Sequence, residues 1–169
     1  YPFLSADGYL ASDPVAIVLH AAGKSNLLPN GQEERTRAIS VVESSVRIFE
    51  LLKKAAESDA VERELIISEQ IPPCLARVEV LMRAKGLPEA NVLMRPKGLA
   101  VENAFDISDV ACDVLCWALT ESKQQCFRRE DVEDLYPTIA QTAKTTNQMF
   151  IDLTKSRCLG VCDNNTALD

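Results

Sequence analysis

Apolar residues in this chain recur at three- and four-residue spacing, and each periodic run is bracketed by residues that start or stop helices. From Gln32 to about Glu57, the residues Ile39, Val42, Val46, Phe49 and Leu52 fall on one side of a helix whose opposite side is polar. Ser12-Asp13-Pro14 precedes the run Val15 to Ala22, and Gly23 follows it; a capping side chain, a first-turn proline and a trailing glycine define a helix there. Ser58-Asp59, with Glu62 three positions on, opens a third helix through Val61, Leu65 and Ile66 that Pro72-Pro73 should stop.

A fourth helix is predicted from Cys74 to Lys85, burying Leu75, Val78, Leu81 and Met82, with Gly86 as its cap. Asp106 to Asp109 opens a fifth, from Ser108 to about Glu121, carrying Val110, Val114, Leu115, Trp117 and Leu119. Arg129 begins a short helix ending near Tyr136. Pro137 suits the first turn of a last long helix through Ile139, Ala143, Phe150 and Leu153 to about Ser156. No alternating apolar and polar run is flanked by hairpin turns, so no strands are expected. The fold class is therefore all-α: a single-domain bundle of about six helices spanning 1–169, with an irregular N-terminal arm over 1–11 and a polar tail over 163–169.

At 169 residues the chain suits one domain, and 47% hydrophobic against 25% charged residues is the balance of a folded globule. A net charge of −7 argues against nucleic acid as a partner, because phosphate recognition needs clustered Lys and Arg. His20 interrupts the longest apolar stretch, Val15 to Ala22, well short of a membrane span.

The chain holds Cys74, Cys112, Cys116, Cys126, Cys158 and Cys162, an even number. Together with an opening Tyr1-Pro-Phe that has no initiator Met, this leads to the expectation of a mature secreted protein stapled by three disulfides. Cys112 and Cys116, one helical turn apart, should bond outward to separate partners, the simplest scheme joining Cys116 to Cys126 and leaving Cys112 and Cys74 for Cys158 and Cys162. Six cysteines allow 15 pairings, and spacing does not choose among them. Cys158 to Cys162 contains Gly160 and is expected to bend. Zinc is the rival use of two Cys-x-x-x-Cys pairs, but structural zinc favours tighter knuckles and no histidine lies near them, so no metal is assigned. Asn164-Asn165-Thr166 is a candidate glycosylation site at Asn164.

Residues 80–99 contain nearly the same eight letters twice, Val80 to Leu87 and Val92 to Leu99. Arg83 and Lys85 suit a helix C-terminus, where cations meet the negative end of the dipole, and Pro96 in the second copy rules out the same helical geometry. A functional reading makes Arg83, Lys85, Arg95 and Lys97 a basic rim beside the adaptable Met82 and Met94, holding an acidic or amphiphilic partner.

A single histidine excludes triads and multi-histidine metal sites, and Gly23-Lys24-Ser25 lacks the leading glycine and the strand of a phosphate loop. No cofactor is implied. The first functional expectation is a secreted, non-enzymatic helical binding protein of effector, carrier, wall or matrix type, taking a small apolar ligand or a macromolecular partner. The second is a small secreted mutase-like enzyme acting on a carboxylate substrate through a pocket of Arg47, Arg77, Glu79 and Arg83.

Overall fold

A computed structural model of the protein describes residues 4–6, 9–85, 105–121 and 126–163, the segment 156–163 as backbone only. The architecture is helical. In chain order it has α1 (Pro14–Lys24), α2 (Gln32–Glu57), α3 (Ala60–Leu65), α4 (Ile71–Lys85), α5 (Ile107–Thr120), α6 (Arg129–Leu135) and α7 (Pro137–Asp163). Strands β1 (Leu4–Ala6) and β2 (Tyr9–Ala11) precede them.

Most helix starts follow from local chemistry. The Asp13 carboxylate accepts the Ala16 N–H at 2.8 Å, with Pro14 in the first turn of α1. Asp59 accepts the amides of Val61 and Glu62 at the start of α3. Gly23 does not end α1, which runs to Lys24. Asn26, at φ 55°, takes the left-handed position that glycine was expected to hold.

Pro72-Pro73 do not end a helix either. They sit in the first turn of α4, which continues from α3 through a π turn at Ile66–Gln70, where the Ile71 N–H reaches five residues back to the Ile66 carbonyl. Proline lacks an N–H and its ring collides with the carbonyl four residues earlier; widening the preceding turn moves those carbonyls away. α3, the π turn and α4 thus form one continuous rod.

Two further expectations are corrected. Within the arm 1–11, Leu4 pairs with Ala11 and Ala6 with Tyr9 in an antiparallel ladder, so a short pair of strands is present. Runs of three residues are too short to show the alternation by which a strand is read from sequence. Cys158 to Cys162 does not bend: α7 passes through Gly160 and ends at Asp163, because a single glycine weakens a helix without breaking it.

The core gathers side chains from five helices. Val41, Ile48 and Leu52 of α2 meet Leu75, Val78 and Met82 of α4, Leu115 and Leu119 of α5, Val132 of α6 and Ile139 of α7, all buried. A smaller cluster joins Ala22 of α1, Ala38 and Val42 of α2, and Ile107 at the start of α5. The Ile107 N–H also donates to the Leu27 carbonyl at 3.0 Å, tying the α1–α2 connection to α5.

One polar contact inside this core sets the position of α7. Glu79, buried on α4, accepts the Thr138 N–H at 3.1 Å and the Ile139 N–H at 3.0 Å, so a carboxylate from another helix caps the first turn of α7. Arg83 Nη2, one turn along α4, lies 3.3 Å from Glu79 Oε1. Burial opposes ionisation of Glu79, but the Thr138 side chain, the two amides and Arg83 outweigh it and hold the carboxyl below its ordinary range. A depressed folded value means that the stabilisation is complete above the ordinary glutamate range and fades as pH falls through the folded value. Glu79→Gln is expected to lower stability at pH 7 by about 1 to 3 kcal/mol in urea unfolding. The gap to the parent protein should narrow below about pH 4; an equal gap at both pH values would contradict this cap.

Candidate functional site

A second buried polar cluster lies where α4 meets α5. Asp106 caps α5: its Oδ1 accepts the Ser108 N–H at 2.7 Å and the Ser108 hydroxyl at 2.5 Å, while Asp109 Oδ2 accepts the Asp106 N–H at 2.8 Å. This reciprocal box is the local feature that the Asp106 to Asp109 spacing predicts. Lys85, the last residue of α4, enters it from outside the helix. Its ammonium lies 3.1 Å from Asp106 Oδ2, donates to Ser108 Oγ at 3.2 Å and contacts Asp109 Oδ2.

Burial pushes the Asp109 carboxyl above its ordinary range, against the pull of Lys85 and the Asp106 amide, and its Oδ1 is buried with no hydrogen-bond partner. Because Lys85, Asp106 and Asp109 are all nearly closed to solvent, the cluster works as a joint between α4 and α5 rather than as a reaction centre. Lys85→Met, which leaves two carboxylates without their cation, is expected to cost about 3 to 5 kcal/mol in urea unfolding. In the double variant Lys85→Met, Asp109→Asn the loss should fall short of the sum of the single losses by about 1 kcal/mol or more. Strict additivity would count against the joint.

Two members of the expected basic rim, Met82 and Lys85, point inward. Met82 is fully buried and Lys85 is consumed inside the protein, so neither faces a partner; Arg83 is exposed and stands beside Glu79. Met94, Arg95, Lys97 and Asn164 lie outside the described residues. The alternative pocket does not assemble, since Glu79 is occupied by the α7 amides while Arg47 and Arg77 are exposed on α2 and α4.

The expected staples are corrected as well. No disulfide joins any two of Cys74, Cys112, Cys116 and Cys126, and the side chains of Cys158 and Cys162 lie outside the described residues. Cys112 does not bond outward, because its face of α5 is packed into the core, where it serves as a small apolar residue. Burial, with Asp109 nearby, pushes its thiol well above the ordinary range. Cys116, one turn on, lines a surface cleft, and burial raises its thiol too. Among the described residues no three His, Cys, Asp or Glu side chains gather to hold a metal ion. Iodoacetamide at neutral pH is expected to spare Cys112 in the folded protein and to modify it in urea, read by peptide mass; ready labelling of folded protein would contradict its burial.

That cleft, of about 230 Å³, is lined by residues of α5 and α7, with Arg129 and Glu133 of α6 beside them. Its apolar part is Val114 and Trp117 of α5 with Ala140 and Ala143 of α7. Trp117 is 56% exposed and Val114 44%. Around them stand Asp113, Glu121, Arg129, Glu133 and Lys144. Arg129 pairs with Glu121, and Lys144 Nζ lies 3.0 Å from Glu133 Oε1, so both cations of the rim already have carboxylates. Asp113 makes no hydrogen bond or ion pair with any described residue, and burial alone pushes its carboxyl above the ordinary range. A second, more open depression beside the start of α2, lined by Gln32, Thr36, Arg37 and Leu81 among others, has no aromatic anchor.

No family model matches the chain, and no curated protein and no solved structure is significantly similar to it. The cleft was missed in the sequence. Its one legible signal is that α5 is apolar on two sides: Cys112, Leu115 and Leu119 form one stripe, and Val110, Val114 and Trp117 a second. The periodicity assigns both to the core, whereas packing buries the first and exposes most of the second.

Proposed function

We propose that the chain is a non-enzymatic helical binding protein, folded as one domain, that holds a protein partner on the α5–α7 face. The observation that carries this reading is the exposed Trp117 beside Val114 in a charge-rimmed cleft. A large aromatic ring half in water has apolar area left to bury, and tryptophan at the centre of a contact supplies an outsized share of binding energy. A volume of about 230 Å³ is below the roughly 300 to 1,000 Å³ of small-molecule sites. The mixed rim also differs from the apolar lining that a lipophilic ligand would need. Both points favour a partner surface over a carrier cavity.

The extracellular placement read from the cysteines stands apart from this proposal. With Cys74, Cys112 and Cys116 as free thiols, binding through the cleft requires no particular compartment. No described helix is long and apolar enough to cross a membrane.

The test places a benzoylphenylalanine photo-crosslinker at Val114, identifies what it captures in extract of the source, and measures affinity for that partner after purification. Trp117→Ala is expected to weaken binding about 30-fold or more. Equal affinity of the variant, or a co-purified lipid as the sole occupant in native mass spectrometry, would overturn the reading.

A further inference from the structure

The charges of the cleft are unevenly matched among the described residues. Its lining carries three carboxylates, Asp113, Glu121 and Glu133, against two cations, Arg129 and Lys144. The two cations are paired with Glu121 and Glu133, which leaves Asp113, among the described residues of the lining, as the carboxylate outside an ion pair. Asp113 and Trp117 are four residues apart on α5, so the carboxylate and the indole stand one helical turn apart on the same side of the helix. Cys116 lines the same cleft.

We propose that this cleft takes a single arginine side chain from a partner protein, its guanidinium held by the Asp113 carboxylate and stacked on the Trp117 ring. The proposal rests on the reading of this face as a partner surface and deepens it by naming the chemistry of the contact. A planar guanidinium suits the pair better than an ammonium does, because it donates two parallel hydrogen bonds to a carboxylate and lies flat on an aromatic ring. An arriving cation also gives Asp113 a counter-charge that the described residues around it do not supply, in a place where burial already disfavours the bare carboxylate. The paired rim works against the alternatives: Glu121 and Glu133 occupy Arg129 and Lys144, so an acidic side chain would find no unpaired cation among the described lining residues and would face Asp113.

Trp117 is the sole tryptophan of the chain, so its emission reports directly on the cleft. The probe is a tri-arginine peptide, with tri-citrulline as the neutral isostere and tri-lysine as the ammonium control. A saturable change in Trp117 emission is expected with tri-arginine, a weaker one with tri-lysine and none with tri-citrulline. Tri-arginine should also slow alkylation of Cys116.

Anisotropy of labelled tri-arginine then compares variants whose far-UV circular dichroism matches the parent. Asp113→Asn should weaken binding about tenfold, and Trp117→Leu, which keeps apolar bulk, about three- to fivefold. Equal response to tri-citrulline, or unchanged affinity in Asp113→Asn, would overturn the arginine assignment. If the partner captured at Val114 still depends on Trp117 in that event, the surface reading stands and only the ligand chemistry falls. Loss of Trp117 dependence as well would remove both.

Discussion

Two buried charges on α4 hold the starts of the two helices that form the cleft. Glu79 caps α7 through the amides of Thr138 and Ile139, and Lys85 enters the capping box of α5 through Asp106, Ser108 and Asp109. Both lie among the apolar side chains of α4, where an unpaired charge would be severely disfavoured. Each charge therefore demands its partner, and each partner is the first turn of a helix arriving from elsewhere. Apolar burial is non-directional, whereas a carboxylate that must meet two particular amides also fixes direction and register.

From these joints the cleft follows. α5 and α7 leave α4 with their starting positions held, and the side of α5 that carries Cys112, Leu115 and Leu119 closes onto the core. The other apolar stripe, Val114 and Trp117, is left at the surface against Ala140 and Ala143. Small residues on α7 leave room beside the indole, and the Arg129–Glu121 and Lys144–Glu133 pairs set the rim. Asp113 is outside those pairings among the described residues, and the proposed arginine contact is built on it.

The helices were legible where the signals were local. The starts at Asp13, Asp59 and Asp106, the span of α2 and the proline that opens α7 all depend on residues within a turn of one another. The prolines at 72 and 73 misled because a proline is read as a stop, whereas a π turn can absorb it. The cysteines misled because an even count and a helical spacing describe a core thiol and a bonded one equally well. Lys85 and Met82 misled for a related reason: a cation in a last helical turn is satisfied by the dipole alone, and nothing nearby in the chain signals that two aspartates more than twenty residues on will enclose it.

The amino-acid sequence by itself determined that the chain is helical, where most helices begin, and that its net charge is negative, since each depends on side-chain chemistry acting within a few residues or summed over the whole. Only the tertiary structure decided which of the two apolar stripes of α5 is buried, which thiols lie in the core, and that Glu79 and Lys85 are internal anchors rather than surface charges. Those outcomes turn on partners distant along the chain, as between Glu79 and Ile139, and a side chain carries no local mark of what will be packed against it.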